Sequence, residues 1–216
     1  MRRKNWKETS QIVKRLRALY QPDAFRRSDP FRVLVSTILS QRTNDKITYP
    51  TAESLFAAFP DAPALAGAPL SKIEGIVRPV NYYKTKAERI REIARIVVKD
   101  FDGKMPRSRK KMCGLPGVGP KTANCVLVFG FGIPAIPVDT HVHRISNRIG
   151  LVHTKEPEQT ELVLKKAVPR KYWIEINELF VRHGQEICKP IKPECGKCQI
   201  REMCDYGRKS ICPSSL

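Results

Sequence analysis

No stretch of this sequence approaches 18 consecutive apolar residues, and its first 25 residues carry charge throughout. The first absence excludes a helical membrane span and the second a secretory signal, so a soluble, cytoplasmic chain is expected. Sustained apolar–polar alternation bounded by turn residues is also missing, which makes an all-α fold the expectation. There is no repeat of the solenoid kind and no low-complexity tract. Acidic residues are scarce: 21 Asp and Glu stand against 40 Lys and Arg, a formal net charge of +19. That excess favours a polyanionic partner over an acidic protein or a small metabolite. The basic residues are spread along the chain and do not gather on one amphipathic helix, so nucleic acid fits better than an anionic membrane.

With 216 residues, 41% of them hydrophobic, the chain can fill two modest cores, and two lobes are expected. An amphipathic helix is read over 8–20, where Ile12, Val13, Leu16 and Leu19 share a face. Ser28-Asp29-Pro30 starts a second helix that is apolar almost all round and therefore central. It runs out into the polar segment Ser40-Gln41-Arg42-Thr43-Asn44-Asp45, placed to meet a ligand. A helix over 43–59 should break or kink at Pro50. Pro60, Pro63 and Pro69 mark a connecting region, and Ser71 with Glu74 has the spacing of a capping box. The clearest periodicity spans 84–101, with Gly103 ending the helix. A break at 130–137 is where one lobe passes into the other, and further helices are read over 139–150, 157–168 and 172–183.

Between two of these helices lies Leu115-Pro-Gly-Val-Gly-Pro-Lys-Thr-Ala-Asn124. Gly117 and Gly119 permit a tight hairpin and close approach of a bulky partner such as a phosphate. Gly119 as N-cap and Pro120 as first helical residue would turn the amides of Val118, Gly119 and Lys121 toward an anion. Lys121 would sit at the positive end of the helix, which disfavours the charged amine and raises its nucleophilic fraction. On these residues alone, Lys121 reads equally as a phosphate contact or as a nucleophile. Asp139, at the start of its helix, is a good N-cap.

Four cysteines, Cys188, Cys195, Cys198 and Cys204, are separated by six, two and five residues. An intracellular chain has no use for a disulfide framework, so they read as metal ligands. All-thiolate ligation suits structural zinc or a [4Fe–4S] cluster; a single close pair, Cys195 and Cys198, favours the cluster. Cys125 reads as core packing and Cys212 would be a fifth ligand.

Three motifs in order, the hairpin at 115–124, Val138-Asp-Thr-His141 and the cysteine spacing, resemble the endonuclease III family of helix-hairpin-helix DNA glycosylases. The resemblance implies a helical barrel domain with the hairpin (24–133), and a second domain (1–23 plus 134–216) carrying the [4Fe–4S] loop. It also implies a flipped base held between the two. The implied activity is a bifunctional DNA glycosylase and abasic-site lyase that excises oxidised pyrimidines such as thymine glycol from duplex DNA. Its partner is duplex DNA with damaged bases or abasic sites, and the enzyme is expected to be monomeric and associated with the nucleoid. By the same resemblance Lys121 is the nucleophile, Asp139 stabilises charge on the sugar, and Gln41 inserts where the base leaves. Arg42, Leu115, Gly117, Val118 and Gly119 contact DNA, as does a basic loop through Lys189, Lys192 and Lys197. Asn81 to Lys84 supply backbone contacts or, for Tyr82 and Tyr83, core. His141 and His143 are expected at a helix surface or on phosphate, and His183 in packing or at the surface. Pro120 departs from the basic residue common in relatives, and the 40–45 segment departs from the commonest bacterial form. The alternatives are a monofunctional glycosylase for thymine or uracil opposite guanine, and a non-catalytic DNA-binding module; Lys121 speaks against the first.

Overall fold

Side-chain caps fix the starts of five helices. The computed structural model describes Lys4, residues 6–21 and residues 27–209. In chain order the helices are α1 (Trp6–Tyr20), α2 (Pro30–Ser40), α3 (Asp45–Ala58), α4 (Ala62–Gly67), α5 (Leu70–Val77) and α6 (Tyr83–Phe101). They continue with α7 (Arg109–Cys113), α8 (Pro120–Cys125), α9 (Thr140–Ile149), α10 (Pro157–Ala167), α11 (Trp173–Glu186) and α12 (Asp205–Lys209). No strand occurs among the described residues, so the all-α reading holds. Asp29, Asn44, Asp61, Ser108 and Asp139 each accept a backbone N–H from the first turn they precede. No helix among the described residues is long and apolar enough to cross a membrane.

The chain divides into two compact units, Arg26–Ile133, and Met1–Phe25 with Pro134–Leu216. The expected boundary between residues 23 and 24 lies outside the described residues. In the first unit α2 is the central rod: Leu34, Val35, Ile38 and Leu39 are fully buried, and it packs on α3, α6, α8 and a five-residue π segment, Val126–Gly130. Each such aliphatic side chain contributes roughly 1.5–3 kcal/mol by leaving water. In the second unit Ile12, Val13 and Leu16 of α1 join Val142, Ile145 and Ile149 of α9 and Ile176, Leu179 and Phe180 of α11 in one core.

Three local expectations are corrected. The region punctuated by Pro60, Pro63 and Pro69 contains α4, because Asp61 accepts from Ala64 N at 2.9 Å and Pro63 sits in the first turn, where its missing N–H costs nothing. Pro50 does not break α3, which runs from Asp45 to Ala58 with the proline inside it; the missing N–H of Pro50 removes the bond to Lys46 O and the rest of the helix stays in place. Ser71 caps nothing: α5 begins at Leu70, with the Pro69 carbonyl accepting from Lys72 N and Ile73 N. The last helix turn of α6 is closed by Asp102 in the left-handed region (φ 51°) ahead of Gly103, whose amide bonds Val97 O.

Candidate functional site

The hairpin is built between α7 and α8. Ser108 caps α7, and the turn that follows has Gly117 at φ +68°, open only to glycine without strain. Gly117 is also where a side chain approaches: a Cβ there would run into the guanidinium of Arg89, a half-buried residue of α6 that the sequence reading passed over. Leu115 and Val118 are buried, so only their backbone is available to a ligand. One expected donor is lost, because the Val118 amide bonds Leu115 O at 3.1 Å within the turn. Gly119 is the extended N-cap of α8, Pro120 its first residue, and the first internal bond runs from Ala123 N to Gly119 O. The Gly119 and Lys121 amides therefore precede the helix ladder at its positive end. Lys121 is half-buried in this first turn, and its charge reaches the Tyr49 phenol of α3. That charge opposes the upward shift which burial and Asp45 impose on Tyr49.

In the same unit, α2 ends in a turn that carries Gln41 and Arg42. Gln41 is the C-cap, its amide bonding Ile38 O at 3.2 Å, and Arg42 takes φ +55°. Asn81 joins this turn from a second loop, its Nδ2 donating to Arg42 O at 2.5 Å and its backbone N to Thr43 Oγ1 at 3.2 Å. The Arg42 guanidinium lies 5.8 Å from the Tyr82 ring centre. Tyr82 itself is 63% exposed with φ +59°, which removes it from the core; Tyr83 is half-buried.

In the other unit Asp139 caps α9, Oδ1 accepting from Val142 N at 2.8 Å. The carboxylate is half-buried, and Oδ2 is its second acceptor. His141 lies against Gly184 of α11, where a Cβ would clash with its ring, and Arg144 Nη2 stands 3.1 Å from His141 Nδ1. Burial lowers the His141 pKa, Asp139 pulls it up and Arg144 down. His143 pairs with Thr160 Oγ1 at 2.7 Å, so its ring serves the packing of α9 on α10 and not an open surface.

Cys188, Cys195, Cys198 and Cys204 line one cavity together with Ile145, Ile149 and Ile200. Arg148 Nη1 donates to Cys188 Sγ at 3.4 Å, Gly207 N to Cys204 Sγ at 3.3 Å, and His183 Nε2 lies 3.6 Å from Cys198 Sγ. Arg144 and Arg148 also grip the carbonyls of Cys188, Lys189 and Pro190 at 2.7–2.9 Å. Buried His183 closes this set, its Nδ1 paired with Tyr20 OH at 2.9 Å. Burial pushes the Cys198 thiol up to about 11, the other three cysteines adding to the rise. Four crowded, partly buried sulfurs with N–H groups turned toward them are at ease as thiolates only around a cationic centre. Among the described residues no three His, Cys, Asp or Glu side chains converge closely enough to share one metal ion. Cys125 is buried as expected, and Cys212 lies outside the described residues.

The basic loop carries a carboxylate of its own. Glu194 accepts from Lys189 Nζ at 2.6 Å and from Lys197 Nζ at 2.9 Å, so two of its three lysines are already paired. Lys192 is exposed at φ +52°.

Residues 35–170 match the family described as HhH-GPD superfamily base excision DNA repair protein. Endonuclease III of Thermotoga maritima is 45% identical over 199 residues, 92% of this chain and 91% of the relative. The chain belongs to the endonuclease III family of this superfamily. As a member of it, the protein is a DNA glycosylase and abasic-site lyase of base excision repair. A solved endonuclease III trapped as a covalent intermediate with DNA, an estranged-adenine complex, superposes with TM-score 0.86 at 28% identity, covering 94% of this chain and 97% of that one. A thermostable thymine-DNA glycosylase superposes with TM-score 0.84 at 27% identity, covering 94% and 98%.

Proposed function

We propose that the protein excises oxidised pyrimidines such as thymine glycol from duplex DNA and then cuts the strand at the abasic site, with Lys121 as nucleophile and Asp139 as the carboxylate that stabilises charge on the sugar. The observation that carries this reading is a lysine in the first turn of α8, directly behind the hairpin, in a chain of the endonuclease III family. Lys121 Nζ attacks C1′ of the deoxyribose, and the C1′–N bond breaks with its electron pair leaving on the base, which takes up a proton. The amine then loses its second proton as the ring opens to a Schiff base between Nζ and C1′. Removal of a C2′ proton expels the 3′ phosphate by breaking the C3′–O bond, and water finally releases Lys121. Asp139 opposes the positive charge that grows on the sugar as the base departs. The Gly119 and Lys121 amides and Arg42 hold the phosphates, and Gln41 occupies the gap left in the stack.

Cys188, Cys195, Cys198 and Cys204 would hold a [4Fe–4S] cluster. Bound there, it supplies a structural centre, one iron to each thiolate, that shapes the loop bearing Lys189, Lys192 and Lys197. Four thiols lining one cavity suit such a centre. We take Arg26–Ile133 as the hairpin-bearing barrel domain, the other unit as the cluster domain, and a monomer on nucleoid DNA as the working form.

The near-equal likeness to a thymine-DNA glycosylase keeps a second reading, a monofunctional mismatch enzyme. Lys121 favours the first, since mismatch enzymes of this kind typically lack a lysine there. Borohydride added during turnover separates them. A covalent adduct on thymine glycol duplex that disappears in Lys121→Ala supports the lyase; thymine release from a guanine–thymine pair without any adduct supports the mismatch enzyme.

A further inference from the structure

Lys86 lies on α6 but is 3% exposed, and its ammonium is aimed at the end of another helix. Nζ donates to Leu39 O at 2.7 Å, to Gln41 O at 2.7 Å and to Thr43 Oγ1 at 3.1 Å. An ammonium has three N–H groups, and here each has one acceptor. Two of the acceptors are carbonyls at the C-terminus of α2, where a helix leaves carbonyls unpaired and its dipole favours a cation. The bond to Gln41 O spans 45 residues, so it is a tertiary tie and not a local cap. Asn81 adds the bonds to Arg42 O and Thr43 Oγ1, so all three residues 41 to 43 are held from outside their own helix.

We propose that Lys86 is the positioning residue of the DNA-inserting turn: its buried ammonium ties the Leu39 and Gln41 carbonyls ahead of Arg42 to the Thr43 hydroxyl behind it, and so sets where the Gln41 side chain points. The inference rests on the reading of Gln41 as the residue that fills the stack. Removing the ammonium leaves the Leu39 and Gln41 carbonyls to find other donors, and the turn, with Arg42 already in the left-handed region, has neighbouring conformations open to it. Gln41 then meets the duplex in the wrong place, and misplacement by an ångström is enough to slow a reaction substantially.

The test is a double-mutant cycle on the full chain, combining Gln41→Ala and Lys86→Met. It reads single-turnover release of thymine glycol from a duplex with 2-aminopurine beside the lesion to report unstacking. We expect each single variant to slow release about tenfold and to blunt the 2-aminopurine signal, and the double variant to be no slower than Gln41→Ala within about twofold. A role in general stability would give additive losses, and that result overturns the proposal. So does a Lys86→Met protein with wild-type release while Gln41→Ala is slow. A silent Gln41→Ala removes the stack-filling reading itself, and the proposal with it. If Lys86→Met does not melt cooperatively, Thr43→Val, which deletes one acceptor, carries the same cycle; a loss of about threefold that vanishes in the Gln41→Ala background is expected, and an additive loss overturns the proposal.

Discussion

Glu194 holds Lys189 at 2.6 Å, and its second oxygen holds Lys197 at 2.9 Å. One carboxylate thereby occupies two of the three lysines in a loop read as a DNA contact. The pairing draws Glu194 down to about 2, through its bonds to Lys189 and then to Lys197. Glu194→Gln should therefore tighten binding to undamaged duplex and steepen its salt dependence. With about six phosphates neutralised the wild-type log–log slope is roughly −5, and one more contact adds about −0.9. Fluorescence anisotropy over a range of salt measures both. An unchanged slope would show that the loop does not reach phosphate.

Asp139 has two duties that substitution can separate. Asparagine is as good an N-cap as aspartate, so Asp139→Asn should keep the bond to Val142 N and leave the melting temperature near wild type. It removes the charge, and with it about two to three orders of magnitude in base release if the carboxylate stabilises the sugar cation. Asp139→Ala loses the cap as well, at a cost of about 1 kcal/mol. Equal activity in the wild type and the asparagine variant would reduce Asp139 to a cap.

Gly117 answers to backbone and neighbour at once. Gly117→Ala puts a Cβ on a residue at φ +68° and into the Arg89 guanidinium, which must swing aside. A stability loss of about 1–2 kcal/mol in chemical denaturation is expected, together with weaker duplex binding. Restored stability in Gly117→Ala with Arg89→Ala would assign the loss to the clash; a persistent loss would assign it to the backbone.

Burial, and then the charge of Arg89, lower the Lys86 amine from 10.5 to about 8. The sign of its effect on stability follows. Below pH 8 the folded state carries the buried charge in full. Between 8 and 10.5 the folded chain sheds its proton before the unfolded chain does, so stability rises with pH relative to a chain without the group; above 10.5 the difference is constant. Denaturation of wild type and Lys86→Met at pH 7.5 and pH 10 should show the wild type gaining on the order of 2 kcal/mol relative to the variant. A flat difference would mean that the three acceptors hold the charged form throughout.

Local chemistry made much of this molecule readable before any fold was in view. Asp139 and Gly150 bound α9 as expected, with Gly150 at φ +89°, and Gly117 takes the turn its freedom suggested, whereas Gly119 sits in extended backbone open to any residue. The cysteine spacing likewise led to one cavity. What escaped is what depends on a partner distant in sequence. Lys86 lies outside the apolar period of α6, and its acceptors belong to a helix end some 45 residues away. Arg144 and Arg148, four apart on α9, look like an ordinary charged face until the loop beginning at Cys188 lies over them. Prolines misled in a different way: Pro63 sits in the first turn of α4, where proline is tolerated, and Pro50 lies inside α3, which continues through it.

The junction of α2 with the π segment has a further consequence. A Cβ on Gly130 would come within 2.8 Å of Pro30 Cα, and Ser28 N bonds Phe129 O at 3.0 Å, so α2 is seated at its first residue. Lys86 seats it at its last. A rod of eleven residues anchored at both ends has little freedom left to lose when a duplex arrives. Its disorder was surrendered when the chain folded, so ordering this one helix adds no further cost to binding. Binding energy that is not spent on ordering this helix is kept for the contacts a ligand makes.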